Sequence, residues 1–396
     1  MDLEFSENQV ALDNLIGKLC QRYCTTEHVR KAEDESGMCS ELWHHMLEAG
    51  TAGLIVPEEM GGLGFSLLDA TVAYEQLGRH LAATPHFSSS VVSVLMLTRA
   101  TNSEAATTCL ENIANGSTVV SPAWLEPDGG FSILDVNLQA TPVTGGYLLN
   151  GVKVHVPYVV IANKFLVLAR TSEDNHSLKL FLVEGDSKGL QKGKSANLAG
   201  DAQGRLVLRD VFVSNSDSIT PTEDGGEIWN EALNEAVILD AAYAAGLADR
   251  ALEITVDYAK EREQFGTPIG AFQAISHPLV NNKVSINGAK ALIYEAAWAH
   301  SAGESYRALA MMAALFAKNT AREVTARAEQ VHGGIGFTIE YDIQLFYRRA
   351  KQMQVNWYDK RTLESTIAQL TFDEGEAWSG PDPFEPDSNT ISALSS

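Results

Sequence analysis

The chain has 396 residues, of which 45% are hydrophobic, so it is long enough to form two or three structural units without stabilising disulfides or metals. Its 51 acidic and 29 basic residues give a formal net charge of -22, which excludes nucleic acid and anionic membrane surfaces as main partners. The N-terminus lacks a cationic start and an apolar signal core, and no apolar run approaches the roughly 20 residues that cross a bilayer. We therefore expect a cytoplasmic protein.

The cysteines do not point to a metal or disulfide site. Cys20, Cys24, Cys39 and Cys109 lie in helical-looking sequence and show no paired CxxC spacing. A reducing cytoplasm would keep such thiols free, and buried single cysteines are usually inert. We predict no bound metal.

Hydrophobic periodicity changes along the first half of the chain. Residues 1–117 carry apolar positions at helical spacing, as in Leu12, Leu15 and Ile16, and predict an N-terminal helical domain. Residues 118–220 contain short apolar segments between turn residues, with the hairpin signal Asn-Gly at 150–151. This middle unit is predicted to be a β-barrel or sandwich.

Helical periodicity returns in the second half. Residues 227–371 are rich in alanine and carry long apolar stripes, which are typical of a four-helix bundle. The acidic segment 372–396, rich in proline and serine, predicts a disordered tail. The expected fold class is α+β.

Two segments in the last third carry the most specific signal. The first runs from Tyr258 to His277 as YAKEREQFGTPIGAFQAISH, and the second from Gln330 to Tyr341 as QVHGGIGFTIEY. Together they resemble the two C-terminal signatures of flavin-dependent acyl-CoA dehydrogenases, whose helical, β and helical layout also matches this chain. The resemblance implies FAD as cofactor and an acyl-CoA thioester as substrate.

The resemblance also implies a catalytic base, a carboxylate that removes the proton alpha to the thioester. Its usual position, six residues past Lys351 in Arg348-Arg-Ala-Lys351, is occupied by Trp357, and an indole cannot take a proton from carbon. Some family members carry the base on the helix before the first signature, which corresponds here to Ala236. The neighbouring carboxylates are Glu235, rotated by about 100° on a helix, and Asp240, a turn further on. We name Glu235 as the candidate and expect the base to be missing from this subunit.

Half of the flavin cradle comes from the subunit's own β-unit in this family. The matching runs here are Leu-Glu-Pro-Asp-Gly-Gly-Phe-Ser at 125–132 and Lys-Val-His-Val-Pro at 153–157. Leu125, Phe131 and Pro157 replace three hydrogen-bonding positions, and proline also lacks a backbone donor. This half is predicted to be lost.

The other half reaches across a dimer interface to the neighbouring chain's flavin. This chain matches that half at each position. The flavin-binding positions that are lost therefore all belong to the chain's own flavin site, and those that are kept would serve the neighbouring chain's flavin. Arginine supplies a fixed cation for a pyrophosphate, amides supply hydrogen bonds, and glycines allow close backbone approach. The predicted cofactor-binding residues are Arg262, Phe265, Phe272, Gln273, Gln330, Gly333 and Gly334.

The resemblance thus points to the non-catalytic partner in a heteromeric (α2β2) acyl-CoA dehydrogenase. Bacterial enzymes of this type act on CoA esters of steroid side chains, and an electron-transfer flavoprotein is implied as electron acceptor. Two alternatives remain open: a self-sufficient homotetramer that uses Glu235 or Asp240 as base, and a scaffold protein without flavin.

Overall fold

The computed structural model describes residues 4–100, 103–172, 177–220 and 224–374. Helices come first, a β-sheet unit follows, and long helices complete the chain, which confirms the predicted α+β fold class. The described part of the chain ends in a π-helical turn, Gln369–Asp373, and the predicted tail beyond 374 lies outside the described residues. Across the four described ranges, we find no helix with the length and apolar character needed to span a bilayer.

The N-terminal unit is built from short amphipathic helices with conventional caps. The Ser6 hydroxyl accepts a hydrogen bond from the Gln9 backbone N–H, and the Gln9 side-chain oxygen accepts one from the Ser6 backbone N–H. Ser66 and Asp69 form the same capping box before α4. The elements are α1 Glu7–Tyr23, α2 Thr26–Asp34, α3 Ser40–Glu48, α4 Leu67–Arg79, a π-helical stretch His86–Ser93, α5 Val94–Leu97 and α6 Glu104–Ala114.

The middle unit is one seven-stranded sheet among the residues described. The strands follow in space as β1, β4, β2, β3, β7 and β6, and β5 pairs with β4 on its other side. Most neighbours are antiparallel, whereas β4 runs parallel to β1 and β2. The strands are β1 Val120–Ala123, β2 Gln139–Val143, β3 Gly146–Pro157, β4 Lys164–Arg170, β5 Leu178–Glu184, β6 Leu190–Ser195 and β7 Gln203–Ser214.

The C-terminal unit centres on a helix of 37 residues whose alanines allow close packing on several sides. Asp224 caps its start by accepting a hydrogen bond from the backbone of Gly226. The helices are α7 Gly225–Glu261, α8 Gln273–Ala302, α9 Arg307–His332, α10 Ile343–Met353 and α11 Lys360–Ala368, with a short hairpin, β8 Glu263–Gln264 and β9 Thr267–Pro268, between α7 and α8.

Two glycines bring α4 and α7 into backbone contact. A Cβ added at Gly78 would lie 2.0 Å from the carbonyl oxygen of Tyr243, and one added at Gly246 would lie 2.0 Å from that of Glu75. No larger residue fits at either position without separating the helices. The crossing therefore fixes the side chains one turn earlier on each helix, which form one end of the cavity described next.

Candidate functional site

A cavity of about 520 Å³ lies between α4, α7, the β-sheet unit and the loop that follows α10. Its walls bring together residues that are far apart in sequence. Among them are the positions at which sequence analysis found unusual residues: Leu125, Phe131, His155, Pro157 and Trp357.

Trp357 closes one side of this cavity. Its ring packs edge-on against Phe87, with 5.1 Å between ring centroids, and its backbone has a φ of 63°. The loop is held by Lys318 of α9, whose ammonium donates to the carbonyl oxygens of Asn356 at 2.8 Å and Tyr358 at 3.4 Å. A left-handed backbone is costly for a bulky residue, so the surrounding contacts must stabilise it. They hold the indole in the cavity.

The three β-sheet positions expected to contact a flavin ring carry apolar side chains. Leu125, Phe131 and Pro157 line the cavity and offer no side-chain donor or acceptor to the polar edge of such a ring. The nearby charges are already engaged, since the Lys153 ammonium is 2.7 Å from Glu126 and donates to the Trp124 carbonyl oxygen at 3.0 Å. Burial lowers the pKa of Lys153 to about 8. These polar groups stabilise the wall itself.

Asp240 lies at the end of the cavity formed by the α4 and α7 crossing. Sequence analysis placed it a turn beyond the base position, and the structure shows it among the residues that line the cavity. The side chain is buried, and its Oδ2 is 2.9 Å from the Lys318 ammonium. Sequence analysis missed Lys318, although a lone lysine in the apolar stretch of α9 was a visible signal.

Glu235 does not line the cavity. Its Oε1 accepts hydrogen bonds from Arg99 at 2.7 Å, His300 at 2.9 Å and Tyr306 at 3.2 Å. Burial alone would raise the pKa of this carboxyl, but the His300 hydrogen bond and the Arg99 charge outweigh burial and hold it below its usual value. An ionised carboxylate with three donors is a weak proton acceptor, so this geometry favours a role in joining α7 and α8.

A second buried ion pair reaches the cavity from α10. The Arg349 guanidinium lies 3.3 Å from Asp201, and Asp201 also accepts a hydrogen bond from Gln352 at 2.8 Å. Sequence analysis quoted Arg349 only within a motif and missed this pairing. The contact joins the C-terminal helices to the segment before β7, because the two residues are distant in sequence and adjacent in space.

The predicted cofactor-binding residues lie on a separate surface, at the ends of α7 and α9. Tyr258 and His332 stack with 4.3 Å between ring centroids, and Tyr341 packs against both, so the two sequence signatures meet. We call this the helix-end surface and define it by Arg262, Phe265, Phe272, Gln273, Gln330, Gly333 and Gly334.

Phe265 projects into solvent from the helix-end surface. It forms, with Gly266, the two-residue turn between β8 and β9, and both residues have positive φ, 55° and 78°. That geometry is a type I′ turn, which favours glycine or asparagine over phenylalanine. The ring is 95% exposed and meets Phe272 edge-on at 6.2 Å. A strained backbone that presents an aromatic ring to solvent is typical of a binding surface.

The rest of the helix-end surface fits an incoming anionic nucleotide. Arg262 and Gln330 are exposed, and the Arg262 side chain makes no hydrogen bond or ion pair with any described residue. Among the described residues, none has a non-neighbouring atom within 4 Å of a Cβ added at Gly333 or Gly334, so their backbone is open to close approach. These residues could hold a phosphate and an adenine-like ring from outside the subunit.

Two sequence models of known protein domains match this chain. Residues 6–117 match the sequence model of the acyl-CoA dehydrogenase N-terminal domain, and residues 223–356 match that of the C-terminal domain. An acyl-CoA dehydrogenase of Bacillus subtilis is 31% identical over 325 residues, which cover 80% of this chain and 85% of the relative.

Solved structures resemble the chain over nearly its whole length. The ChsE4-ChsE5 complex from Mycobacterium tuberculosis matches with a TM-score of 0.83 at 25% identity, covering 96% of this chain and 100% of the matched one. A Tcur3481-Tcur3483 steroid ACAD matches with a TM-score of 0.81 at 26% identity, covering 94% and 99%. These similarities confirm the predicted enzyme class, with FAD as the cofactor used in dehydrogenating CoA-linked or carrier-linked acyl groups. The chain belongs to the acyl-CoA dehydrogenase family.

Proposed function

We propose that this chain is the non-catalytic subunit of a heteromeric, FAD-dependent acyl-CoA dehydrogenase. It would complete a flavin site whose base and flavin-ring contacts belong to a sister subunit. One observation carries the proposal: Trp357, Leu125, Phe131 and Pro157 lie in the same cavity. Base and flavin contacts are thus replaced together at one place.

The chemistry of the family explains why these replacements matter. FAD accepts a hydride from the beta carbon while a carboxylate removes the alpha proton, so the two must face each other across the acyl chain. In this subunit the base position holds an indole, which has no basic lone pair, and the three expected flavin-contact positions Leu125, Phe131 and Pro157 are apolar. Loss of the catalytic carboxylate alone would leave the flavin contacts intact. In this subunit the flavin-contact positions of the β-sheet unit have been replaced as well.

The helix-end surface supports the second part of the proposal. Arg262 and Gln330 are exposed, whereas the polar groups beside the cavity are paired within the subunit. A free guanidinium at a helix end suits the pyrophosphate of a flavin held mainly by another chain, because it is always charged and donates in a fork. We assign Arg262 to the pyrophosphate and the glycines to the adenylate end.

For the substrate we propose a CoA ester of a steroid side chain, in an α2β2 assembly that passes electrons to an electron-transfer flavoprotein. Support comes from similarity to a two-protein complex, ChsE4-ChsE5, and to a steroid ACAD named for two proteins. Both similarities extend over more than nine-tenths of this chain. A vacated second site would leave room for a bulky acyl group.

A self-sufficient enzyme is the second candidate, and the position of Asp240 favours it. This carboxylate lines the cavity, whereas Glu235 does not. Against it stand the ion pair with Lys318, whose ammonium is 2.9 Å from Oδ2, and the apolar side chains of Leu125, Phe131 and Pro157. In this reading, Asp240 would act as base in a homotetramer.

The deciding experiment is to co-express this chain with its genomic neighbour and measure flavin and subunit content together. We expect the chain alone to be colourless or unstable and the complex to carry about one flavin per heterodimer. A yellow, active homo-oligomer of this chain would establish the self-sufficient enzyme instead. Two flavins per heterodimer would likewise contradict the proposal, and a complex without flavin would indicate a scaffold.

A further inference from the structure

The cavity keeps the size of a small-molecule site despite the residues it has lost. Its volume of about 520 Å³ lies within the range of roughly 300–1,000 Å³ that is typical of ligand pockets. The side chains of its walls therefore indicate which ligand it could hold.

Most of the wall is apolar and aromatic. Phe87, Trp124, Phe131 and Trp357 contribute rings, and Leu125 and Pro157 lie between them. Leu198 and Val355 also line the cavity and are 50% and 57% exposed, so apolar side chains continue to its solvent-facing part. Such walls favour a ligand with a broad hydrocarbon surface over a polar chain.

Polar residues such as Asp201 and Arg349 also line the cavity, but those two are hydrogen-bonded to each other, and Asp240 is not bonded in this way. It is only 7% exposed, and neither carboxylate oxygen accepts a hydrogen bond from any described residue, although a carboxylate has room for several. Lys318 is close, at 2.9 Å from Oδ2, and two of its three N–H donors are used by the carbonyl oxygens of Asn356 and Tyr358. Asp240 is thus neutralised in charge while its hydrogen-bonding capacity remains open.

The neighbouring phenol does not fill that capacity. His86 Nε2 lies 2.9 Å from the Thr51 carbonyl oxygen and must therefore carry the proton. Its Nδ1 is then an acceptor, and Tyr74 donates to it at 2.7 Å. Burial lowers the pKa of His86 to about 4, which keeps this neutral form at physiological pH. The hydroxyl proton of Tyr74 is consequently unavailable to Asp240.

The local charge count indicates what kind of donor is missing. Asp240 is balanced by Lys318, and Asp201 by Arg349, so the inner cavity has no excess negative charge. A buried ammonium on a ligand would be uncompensated there, and burying an unpaired charge is costly. A neutral hydroxyl group satisfies the carboxylate without that cost.

We propose that this cavity binds a neutral, apolar ring system carrying a hydroxyl group, and that the hydroxyl donates its hydrogen bond to Asp240. The inference rests on the proposed function, because a flavin in the same space would exclude the ligand. The bound molecule would be a second ligand of the complex, recognised by the subunit that lacks catalytic groups.

The test uses the purified complex and two probes with the same ring skeleton, androstanediol and androstanedione. The diol carries a hydroxyl at each end and the dione carries carbonyls, which cannot donate, so the comparison does not depend on orientation. Equilibrium dialysis should show the diol binding at least about tenfold more tightly, as expected for a hydrogen bond to a charged group. Flavin absorbance, followed in the same samples, should stay unchanged because the flavin lies in the sister subunit's site.

Two variants locate the binding. Asp240→Asn should abolish most of the preference for the diol, since an amide is uncharged and can donate to the dione as well. Leu125→Trp should weaken both probes by filling the cavity, and it leaves Asp240 and Lys318 intact in case the first variant folds poorly. Equal affinity for diol and dione, or binding that shifts the flavin spectrum and ignores both variants, would overturn the inference. Flavin stoichiometry, measured separately, shows whether the proposed function itself has failed.

Discussion

The cavity and the helix-end surface differ in what their polar side chains already contact. Beside the cavity, Lys153 is paired with Glu126 and Arg349 with Asp201 within the subunit. On the helix-end surface, Arg262 and Gln330 are exposed and Phe265 is held outward by a strained turn. Polar groups that are paired internally stabilise the fold, and those left open can bind something from outside.

One fold can therefore lose one role and keep another. A buried site tolerates apolar replacement, because removing a buried donor and its partner together costs little and can be stabilising. An exposed arginine is solvated in the monomer, so Arg262 keeps its donors available to a ligand from outside. Mutations in the cavity and on the helix-end surface should therefore have different effects.

The largest effect is expected from Lys318→Met. The substitution leaves the Asp240 charge buried without its 2.9 Å partner and releases the loop that carries Trp357. We expect the free energy of unfolding to fall by about 3–5 kcal/mol, the usual cost of an unpaired buried charge. Chemical denaturation of the purified complex measures it.

The matched controls for Lys318 separate charge from packing. Adding Asp240→Asn to Lys318→Met should recover most of the loss, since both charges are then gone. Lys360→Met changes a lysine that is 62% exposed and should cost less than about 1 kcal/mol. A Lys318→Met loss as small as that of Lys360→Met would show that the buried pair is unimportant.

Arg262→Ala tests the helix-end surface. If Arg262 contacts the flavin pyrophosphate, its loss should weaken flavin binding by roughly ten- to a hundredfold, as for a hydrogen bond to a charged group, without unfolding this chain. Arg262→Lys should rescue only part, because lysine lacks the fork of donors. Flavin titration of the apo complex gives the affinity.

Lys260→Ala provides the control for Arg262. Lys260 is 70% exposed at the end of the same helix and contacts only Asp257, three residues earlier, among the described ion pairs. It should leave flavin affinity unchanged. If Arg262→Ala behaves like Lys260→Ala, then Arg262 is an ordinary helix-end charge and the cross-subunit assignment is lost.

Glu235→Gln should change turnover by less than about tenfold, whereas loss of a true base typically costs roughly a hundred- to ten-thousandfold. The reason is that Glu235 accepts from Arg99, His300 and Tyr306 instead of facing the cavity. Asp240→Asn should likewise lose no more than about tenfold. Near-complete loss of turnover in Glu235→Gln, with flavin and assembly intact, would make this chain the catalytic one.

The same variant has a pH signature. The folded pKa of Glu235 is depressed, so its contribution to stability is present above the pKa of the unfolded chain and is lost as pH falls through the folded value. Wild type should therefore be more stable than Glu235→Gln at neutral pH, and the difference should shrink in acid. Denaturation midpoints across the acid range test this. A difference independent of pH would mean that the carboxylate charge is not what stabilises α7 against α8.

Sequence reasoning reached the fold class because helical and strand periods are local properties. It also identified Trp357, Leu125, Phe131 and Pro157 by their positions in motifs, and the structure places them in one cavity. It could not find the pair formed by Asp240 and Lys318, because the two residues lie on different helices, far apart in sequence. Nor could helical rotation alone show that Asp240 faces the cavity and Glu235 does not, because the hydrogen-bond partners of Glu235 come from three other segments.

The smallest effect is expected from Trp357→Glu, which restores a carboxylate at the base position. It should add no second active site, because Leu125, Phe131 and Pro157 still provide an apolar wall where flavin contacts would be needed. The measurement is flavin per heterodimer together with turnover, and both should equal those of wild type.

Trp357→Gln is the control, since it removes the indole and its 5.1 Å contact with Phe87 without adding a charge. The two variants should lose similar stability, as both forfeit the aromatic packing. If Trp357→Glu alone gained a second flavin or a higher turnover, the wall would be competent and its apolar residues irrelevant to the loss of function. Equal results for both variants would place the loss in the wall as well as in the base, so that a carboxylate by itself does not restore the site.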